Sequence, residues 1–474
     1  MKQKLLFLVV SGIFLVNVPA RPGDPDSVYF TNGFRIGEVT PNSAVLWTRL
    51  CGSPEPVPVQ HPRKEPPFRS PVGFSDTMAV EEMDGAVEGA FGEVKVLLIH
   101  GTDTLEWGWE TVSSYRDYTL KRSLEGLEPH SAYRVKLLAR KGKGAPVARI
   151  TGSFRTAPPA DMEVPVLFTS SSCQYFWDFD DSIRGFRIYD RMIELDPAFH
   201  CQTGDYVYYD KPGPMAGRVD LARHKWHAMN SWPSLREFNA RVPGYPQKDD
   251  HDMMFNDASP GMEPFGELSF FDGLQVWYEQ VPLEGDPYRT FRWGKDLQIW
   301  VVEGREFRSD NWVEDHPDKT IWGTRQKEWF TRTVEASGAT FKVLVSPTPV
   351  VGPDRTTGKN DNHANRAFAT EGKWLRSFLA QHDVFVINGD RHWQYVSEDP
   401  RTGVMEFSQG PSSVSHAQGW SQEDFRPQHK FLRVAGGFLA VSVHRQEGIP
   451  VIEFIHFDVD GNEVHRTTLE ASSL

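Results

Sequence analysis

Three short runs hold the side chains of this chain best suited to chemistry. They are Ser172-Cys173-Gln174, Gly204-Asp205-Tyr206-Val207-Tyr208 and Gly389-Asp390-Arg391-His392-Trp393. Each follows an apolar, strand-forming run: Val164 to Thr169, Ala198 to Cys201 and Val384 to Ile387. In open α/β sheets, functional groups gather beyond the carboxyl ends of strands. A carboxylate has two oxygens and can bridge two cations, while thiolate, phenolate and imidazole complete their shells. A fourth run, Asp249-Asp250-His251-Asp252, adds further carboxylates and an imidazole. These residue types in these places point to metal-assisted hydrolysis.

The elements that must position them fall into two regions. Residues 28–157 read as a small β-sandwich, with strands at Ser43 to Leu50, Val94 to His100, Asp117 to Ser123, Tyr133 to Ala139 and Arg149 to Thr156. Cys51 to Gly92 is rich in Pro and Glu and reads as an irregular surface loop. Ala157-Pro158-Pro159-Ala160 reads as a linker. Residues 161–474 then alternate strands (Leu297 to Val302, Thr340 to Ser346, Val384 to Ile387) with helices (Arg184 to Leu195, Thr324 to Ser337, Asn365 to Gln381). That alternation predicts a layered α/β domain with a central sheet.

With four motifs in one order, the chain resembles the phosphatase D (PhoD-like) branch of the calcineurin-type metallophosphoesterases, related to purple acid phosphatases. The motifs are Ser172-Cys173-Gln174, Gly204 to Tyr208, Asp249 to Asp252 and Gly389 to Trp393. The resemblance implies an α/β/β/α metallophosphoesterase sandwich preceded by a small all-β sandwich. The turn Leu124 to His130 and the run Thr151 to Pro158 resemble a fibronectin type III domain.

The resemblance also implies roles. Asp205 bridges two metals; Cys173, Tyr208 and His392 complete the shell of one, implied to be iron(III). Asp250 and Asp390 hold the second, implied to be calcium, although other divalent ions suit the same oxygens. His251 is a general acid at the leaving oxygen, with Asp252 available to orient it. Arg305 and Arg391 are candidate phosphate contacts. Val301-Val302-Glu303-Gly304-Arg305 stands where the family usually has Asp-x-Arg, so Glu303 either keeps the pairing with Arg305 or alters the geometry around it.

Bland readings exist for each part. Alone, Gly-Asp-Tyr is turn chemistry and Asp-Asp-His a solvated loop; together they are explained by one geometry. Asn362 and His363, in Lys359 to Asn365, could contact metal or substrate or simply form a turn and helix cap. Asn256 is a weaker candidate beside an Asx turn. Phe176, Trp177, Tyr206, Tyr209 and Trp393 could wall an apolar pocket, but core packing is the commoner role. Cys51 and Cys201 read as buried small hydrophobes, whereas Cys173 reads as a ligand.

The formal net charge of -13 argues against nucleic-acid or anionic-membrane binding, and no basic arm is present. An acidic protein acting on anionic phosphate needs cations at its site. Lys2, Lys4, the apolar Leu5 to Val16 and Val18-Pro19-Ala20 predict a signal peptide over residues 1–20, with retention as an anchor the alternative to cleavage after Ala20, hence a periplasmic or extracellular protein without a membrane span once processed. The twin arginine common in the family is absent. The expected activity is hydrolysis of phosphate monoesters or diesters, with a small-molecule or lipid phosphoester as partner. A phospholipase D-like diesterase and a non-catalytic binding protein on the same scaffold are the alternatives. The partner of the β-domain is left open.

Overall fold

The computed structural model describes residues 26–61, 77–355 and 360–473. The expected signal peptide lies outside these residues, as do Lys359 and part of the Pro-rich loop. No described helix is long and apolar enough to cross a membrane.

Among the described residues, the sheet that carries most of the candidate ligands has nine strands. In spatial order these are Glu463–Glu470, Ile449–Asp458, Gly437–Gln446, Val166–Ser171, Phe199–Thr203, Gly244–Gln247, Phe34–Gly37, Ser43–Arg49 and Thr119–Glu125. The central strands Val166–Ser171, Phe199–Thr203 and Gly244–Gln247 run parallel, so their carboxyl ends emerge on one edge. A seven-stranded sheet faces it, ordered Arg289–Trp293, Leu297–Val301, Phe341–Ser346, Val384–Asn388, Met405–Gln409, Gln394–Glu398 and His429–Arg433. Its strands from Leu297–Val301 to Met405–Gln409 are again parallel neighbours.

Alternation along the strands builds the layers. Ile299, Val343, Val345, Phe385 and Ile387 point inward and share one core with Phe168, Phe199, Cys201 and Leu439 of the other sheet. Trp300, Leu344 and Val386 point outward, under the helices Gly323–Glu335 and Ala369–Gln381. The helices Arg187–Glu194, Val219–Ser231, Pro233–Asn239 and Phe270–Gln280 cover the outer face of the nine-stranded sheet, burying Trp226, Trp277 and Leu235. The order is helix, sheet, sheet, helix, the layered α/β class expected.

The amino-terminal strands form a sandwich, but not an isolated one. Asp103–Val112, Gly92–His100, Ala132–Arg140 and Ala148–Arg155 make a four-stranded sheet, packing Val94, Val96, Val135 and Leu137 into the same core as Phe34, Ile36 and Leu46. The strands containing Phe34, Ile36 and Leu46 belong to the nine-stranded sheet, joined where Gly37 pairs with Gly244. Phe34–Gly37 is too short to carry a periodic signal, and Asp103–Val112 is mostly exposed, so neither announces itself in sequence. Cys51 and Cys201 are buried free thiols, as expected.

Candidate metal centre

One positional rule organises the site. Cys173 lies two residues beyond Ser171, Asp205 two beyond Thr203, Asp249 two beyond Gln247 and Asp390 two beyond Asn388, each counted from the end of a strand. Cys173, Asp205 and Asp390 adopt left-handed backbone, at φ 53°, 55° and 64°, which turns each loop sharply back over its strand. Two glycines let these loops meet. A Cβ on Gly204 would stand 2.6 Å from the Asp249 Cβ, and one on Gly389 would stand 2.3 Å from the Thr203 carbonyl oxygen.

The side chains converge on Asp205. Cys173, Asp205 and His392 form one group whose ligand atoms all lie within 4.8 Å of one another; Asp205, Asp249 and Asp390 form a second, and Asp205, Asp250 and His251 a third. The Tyr208 hydroxyl donates to Asp205 Oδ2 at 3.0 Å and lies 3.3 Å from His392 Nε2. The Cys173 Sγ stands 3.6 Å from the same Asp205 oxygen.

The electrostatics of this cluster fit cations. Asp205 Oδ1 and Asp249 Oδ2 are buried without a protein hydrogen bond. Burial, together with Asp250, Asp252 and Asp390, raises the Asp205 carboxyl to about 8 despite His251, and burial pushes Asp249 well up despite Arg305. Burial and the Asp205 carboxylate drive the Cys173 thiol and the Tyr208 phenol far above their usual ranges. Burial and the neighbouring His416 hold His392 well below its usual value, hence neutral and available as a ligand. Without cations, the acids Asp205, Asp249 and Asp252, a thiol and a phenol are forced toward their neutral forms. Cations remove that conflict, so the residues present suit metal.

The surrounding residues redistribute several expected roles. Asp252 does not orient His251. Its Oδ2 accepts the amides of Asp205 and Asp249 at 2.7 and 3.0 Å, and its Oδ1 accepts that of Val207 at 2.9 Å. It is a clasp between two loops, closed by the reciprocal bonding of Asp249 and Asp252 across the turn Asp250–Asp252. His251 is instead held by Asp210, with Nδ1 2.7 Å from Oδ1. Burial pulls the His251 imidazole down, but Asp210, Asp250 and Asp205 outweigh it and lift the group to about 10.

Arg305 is fully buried, with Nε 2.5 Å from Asp249 Oδ1, so it braces a candidate ligand and does not face solvent. Glu303 does not pair with the Arg305 guanidinium. Its carboxylate accepts the backbone amides of Arg305 and Glu306 and faces Lys248 at 3.4 Å. Arg391 is held by Asp390 and Asp354, both at 2.6 Å, and by Asp361 at 3.5 Å.

Asn362 belongs to the same buried network, donating to Asp354 and Asp361. His363 turns away toward Glu371 and Trp322. Asn365 accepts the amides of Asp361 and Asn362, so this segment is a turn. Asn256 is exposed and contributes its backbone amide to Asp210. The five aromatics near the motifs are core: Phe176, Trp177, Tyr206, Tyr209 and Trp393 are all buried.

Sequence reasoning passed over Asp210, Asp249 and His416. Asp249 stands with Asp390 in the second group, whereas Asp250 stands beside His251. The two-residue offset from a strand end would have selected Asp249, had the short strand Gly244–Gln247 been recognised. His416 Nε2 lies 3.1 Å from the Tyr208 hydroxyl, with Nδ1 on Asp178 at 2.5 Å. Nothing in its local sequence, Val414-Ser415-His416, marks it.

This arrangement can be set against known proteins. The profile of the PhoD-like phosphatase family matches residues 168–435, more than half of the chain. The chain belongs to the PhoD-like phosphatase family. All four candidate-ligand loops lie inside the matched PhoD-like region. Alkaline phosphatase D of Bacillus subtilis (strain 168) is 23% identical over 424 residues, which cover 78% of this chain and 65% of that protein. The chain thus spans just under two thirds of that relative's length. A solved structure of PhoD superposes with a TM-score of 0.70 at 18% identity, over 95% of this chain and 90% of the other. A purple acid phosphatase, PPD1, from yellow lupin (Lupinus luteus) seeds gives 0.64 at 11% identity, over 96% and 75%. At these identities the two structures establish the shared fold.

Proposed function

We propose that this PhoD-like protein is an exported, metal-dependent phosphoric ester hydrolase acting on phosphate monoesters, diesters or both. The observation that carries the reading is the convergence of Cys173, Asp205, Asp249 and Asp390 from four strand ends onto one point, with His251 beside it. Cys173, Asp205, Tyr208 and His392 would hold one ion; Asp205, Asp249 and Asp390, with Asp250 adjacent, would hold another. A thiol and a phenol so unwilling to ionise call for a strongly charged cation, in keeping with the iron(III) that the resemblance implies. A site of carboxylates alone suits calcium or another hard divalent ion. Bound metals would supply Lewis acidity toward the phosphoryl oxygens and a nucleophile at neutral pH.

The chain's own groups supply the remainder. Protonated His251, fixed through Nδ1 by Asp210, would present Nε2 to the leaving oxygen and give up its proton as the ester bond breaks. Asp252 holds the Asp205 and Asp249 loops at fixed separation, and Arg305 fixes the Asp249 carboxylate. The similarity to a protein named alkaline phosphatase D supports the substrate class. Export rests on the charged and apolar pattern of residues 1–20, and the division into an accessory β-domain (28–157) and a catalytic domain (161–474) is part of the same reading.

The test is hydrolysis of para-nitrophenyl phosphate and bis-para-nitrophenyl phosphate by the metal-loaded protein, with and without chelator. Turnover of either ester, abolished by chelation and strongly reduced in His251→Ala, is expected. Chelator-insensitive turnover, or an unimpaired His251→Ala, overturns the reading. Preference for the bis-ester would select the diesterase.

A further inference from the structure

A small, partly open cleft has Tyr206, the neighbour of Asp205, in its wall. It forms where the amino-terminal strand Phe34–Gly37 meets the strand Gly244–Gln247 and the helices Val219–Ser231 and Phe270–Gln280. Its walls are mainly apolar: Ile36, Tyr206, Trp226, Trp277, Val281 and Pro282 among them. The cation in the cleft is Arg35, only 7% exposed.

Arg35 is unusual in what it lacks. Among the described residues no carboxylate makes a salt bridge to it, whereas buried arginines elsewhere in the site, Arg305 and Arg391, are each surrounded by acids. One terminal nitrogen donates to Asn230 Oδ1, the guanidinium lies over Trp47 and Tyr206 at 5.2 and 4.7 Å, and Nε has no hydrogen-bond partner. A buried guanidinium with an unspent donor and no counterion is costly, and the usual resolution is an anion.

Of the other polar groups of the wall, three are committed, while Trp277 Nε1 and Gln247 Oε1 have no hydrogen-bond partner among the described residues. His200 bonds Thr169 and Ser171, Gln202 bonds both backbone groups of Gly204, and Tyr189 donates to Gln174. Recognition is therefore left to one cation, the unpaired Trp277 donor and Gln247 acceptor, and mainly apolar walls. We propose that this cleft binds a small carboxylate with an apolar, ring-sized body, its charge on Arg35 and its body against Trp226, Trp277 and Val281. Such a site at a junction between regions is where small-molecule clefts commonly form. It is separate from the proposed phosphoesterase centre and does not depend on it, although Tyr206 is the immediate neighbour of Asp205.

The test is calorimetric titration of the full, metal-loaded chain with benzoate, benzamide, acetate and inorganic phosphate. Benzoate should bind about tenfold or more tightly than neutral benzamide, the value of a charge-assisted contact, and more tightly than acetate. Arg35→Met should erase the preference for benzoate over benzamide. Val281→Phe, which fills the cleft and leaves Arg35 in place, should weaken both, so a folding failure of Arg35→Met does not remove the test. Metal content should be unchanged in both variants. Benzoate binding that survives both variants belongs to the metals and overturns the proposal, as does equal affinity for benzoate and benzamide or the absence of saturable binding. Sensitivity of phosphate, and not benzoate, to Arg35→Met would overturn the carboxylate assignment in favour of an inorganic anion site.

Discussion

Asp252→Asn separates a clasp from a catalytic partner. The carboxylate accepts three buried amides, two on Oδ2 (Asp205 and Asp249) and one on Oδ1 (Val207). An asparagine has one carbonyl oxygen, which can keep the pair, while its amino group is turned against the third amide. One buried N–H left facing a donor costs about 1–3 kcal/mol, and the two surviving bonds lose their charge assistance. The expected loss is thus about 2–4 kcal/mol in urea unfolding of chelator-treated protein, with a lower midpoint and unchanged m-value. Because Asp205 and Asp249 ride on the clasped loops, both metals should be retained less well on dialysis. The pH–rate profile of the remaining activity should keep its alkaline limb, since no hydrogen bond joins Asp252 to His251. A variant with wild-type stability and metal content but a displaced limb would refute the clasp and restore Asp252 as the orienting partner of His251.

Asp210→Asn should do the opposite. His251 is held up to about 10, against its burial, by Asp210, Asp250 and Asp205, and bound metals would offset the last two. Loss of the Asp210 charge, about 1.5–3 kcal/mol, should bring the alkaline limb of kcat/KM about 1–2 pH units toward acid with metal content intact. Asp249→Asn should lower metal content measured by elemental analysis, whereas Asn256→Ala should leave it unchanged, because Asn256 offers the site only a backbone amide. Above about pH 7, metal-free protein should lose stability as pH rises. Asp205 and Asp252 titrate near 8 and 7 in the fold but near 3.9 when unfolded, so the native state binds more protons through that interval and the slope is negative. Melting temperatures from pH 7 to pH 9 check this, above the interval in which buried His200, His224, His227 and His456, held down to about 3 or 4, charge on unfolding and tilt the slope the other way; saturating metal should flatten or reverse the slope.

Much of this architecture is legible in the sequence because the central strands are buried on both faces. Val166–Ser171, Phe341–Ser346 and Val384–Asn388 read as apolar runs, and the residues two places beyond the first and third are candidate ligands. Legibility fails where an element is short or its partners are distant. Gly244–Gln247 has four residues, one a proline, and without that strand Asp249 looks like one acid among several. The roles of Asp210, Asp252, Glu303 and Arg305 depend on which backbone or side chain the tertiary fold brings opposite them, and spacing along the chain carries no such information. Asn362 and His363 are adjacent in sequence yet face different partners, Asp354 and Glu371.

The strand Val166–Ser171, which leads into Cys173, has as one of its two neighbours Gly437–Gln446, from the far end of the chain. Another late segment, the loop after the strand Met405–Gln409, touches the Cys173 loop directly, through the Ser412 amide on the Cys173 carbonyl and the bridge between Ser172 and Pro411. Pairings of such long range slow folding and leave a strand edge open in the meantime. Until the Gly437–Gln446 and Ile449–Asp458 hairpin docks, the thiol at the end of that edge is without its cover. In an oxidising compartment, productive folding is then a race between hairpin docking and oxidation of Cys173, and a reductant present during refolding should raise the yield of metal-competent protein.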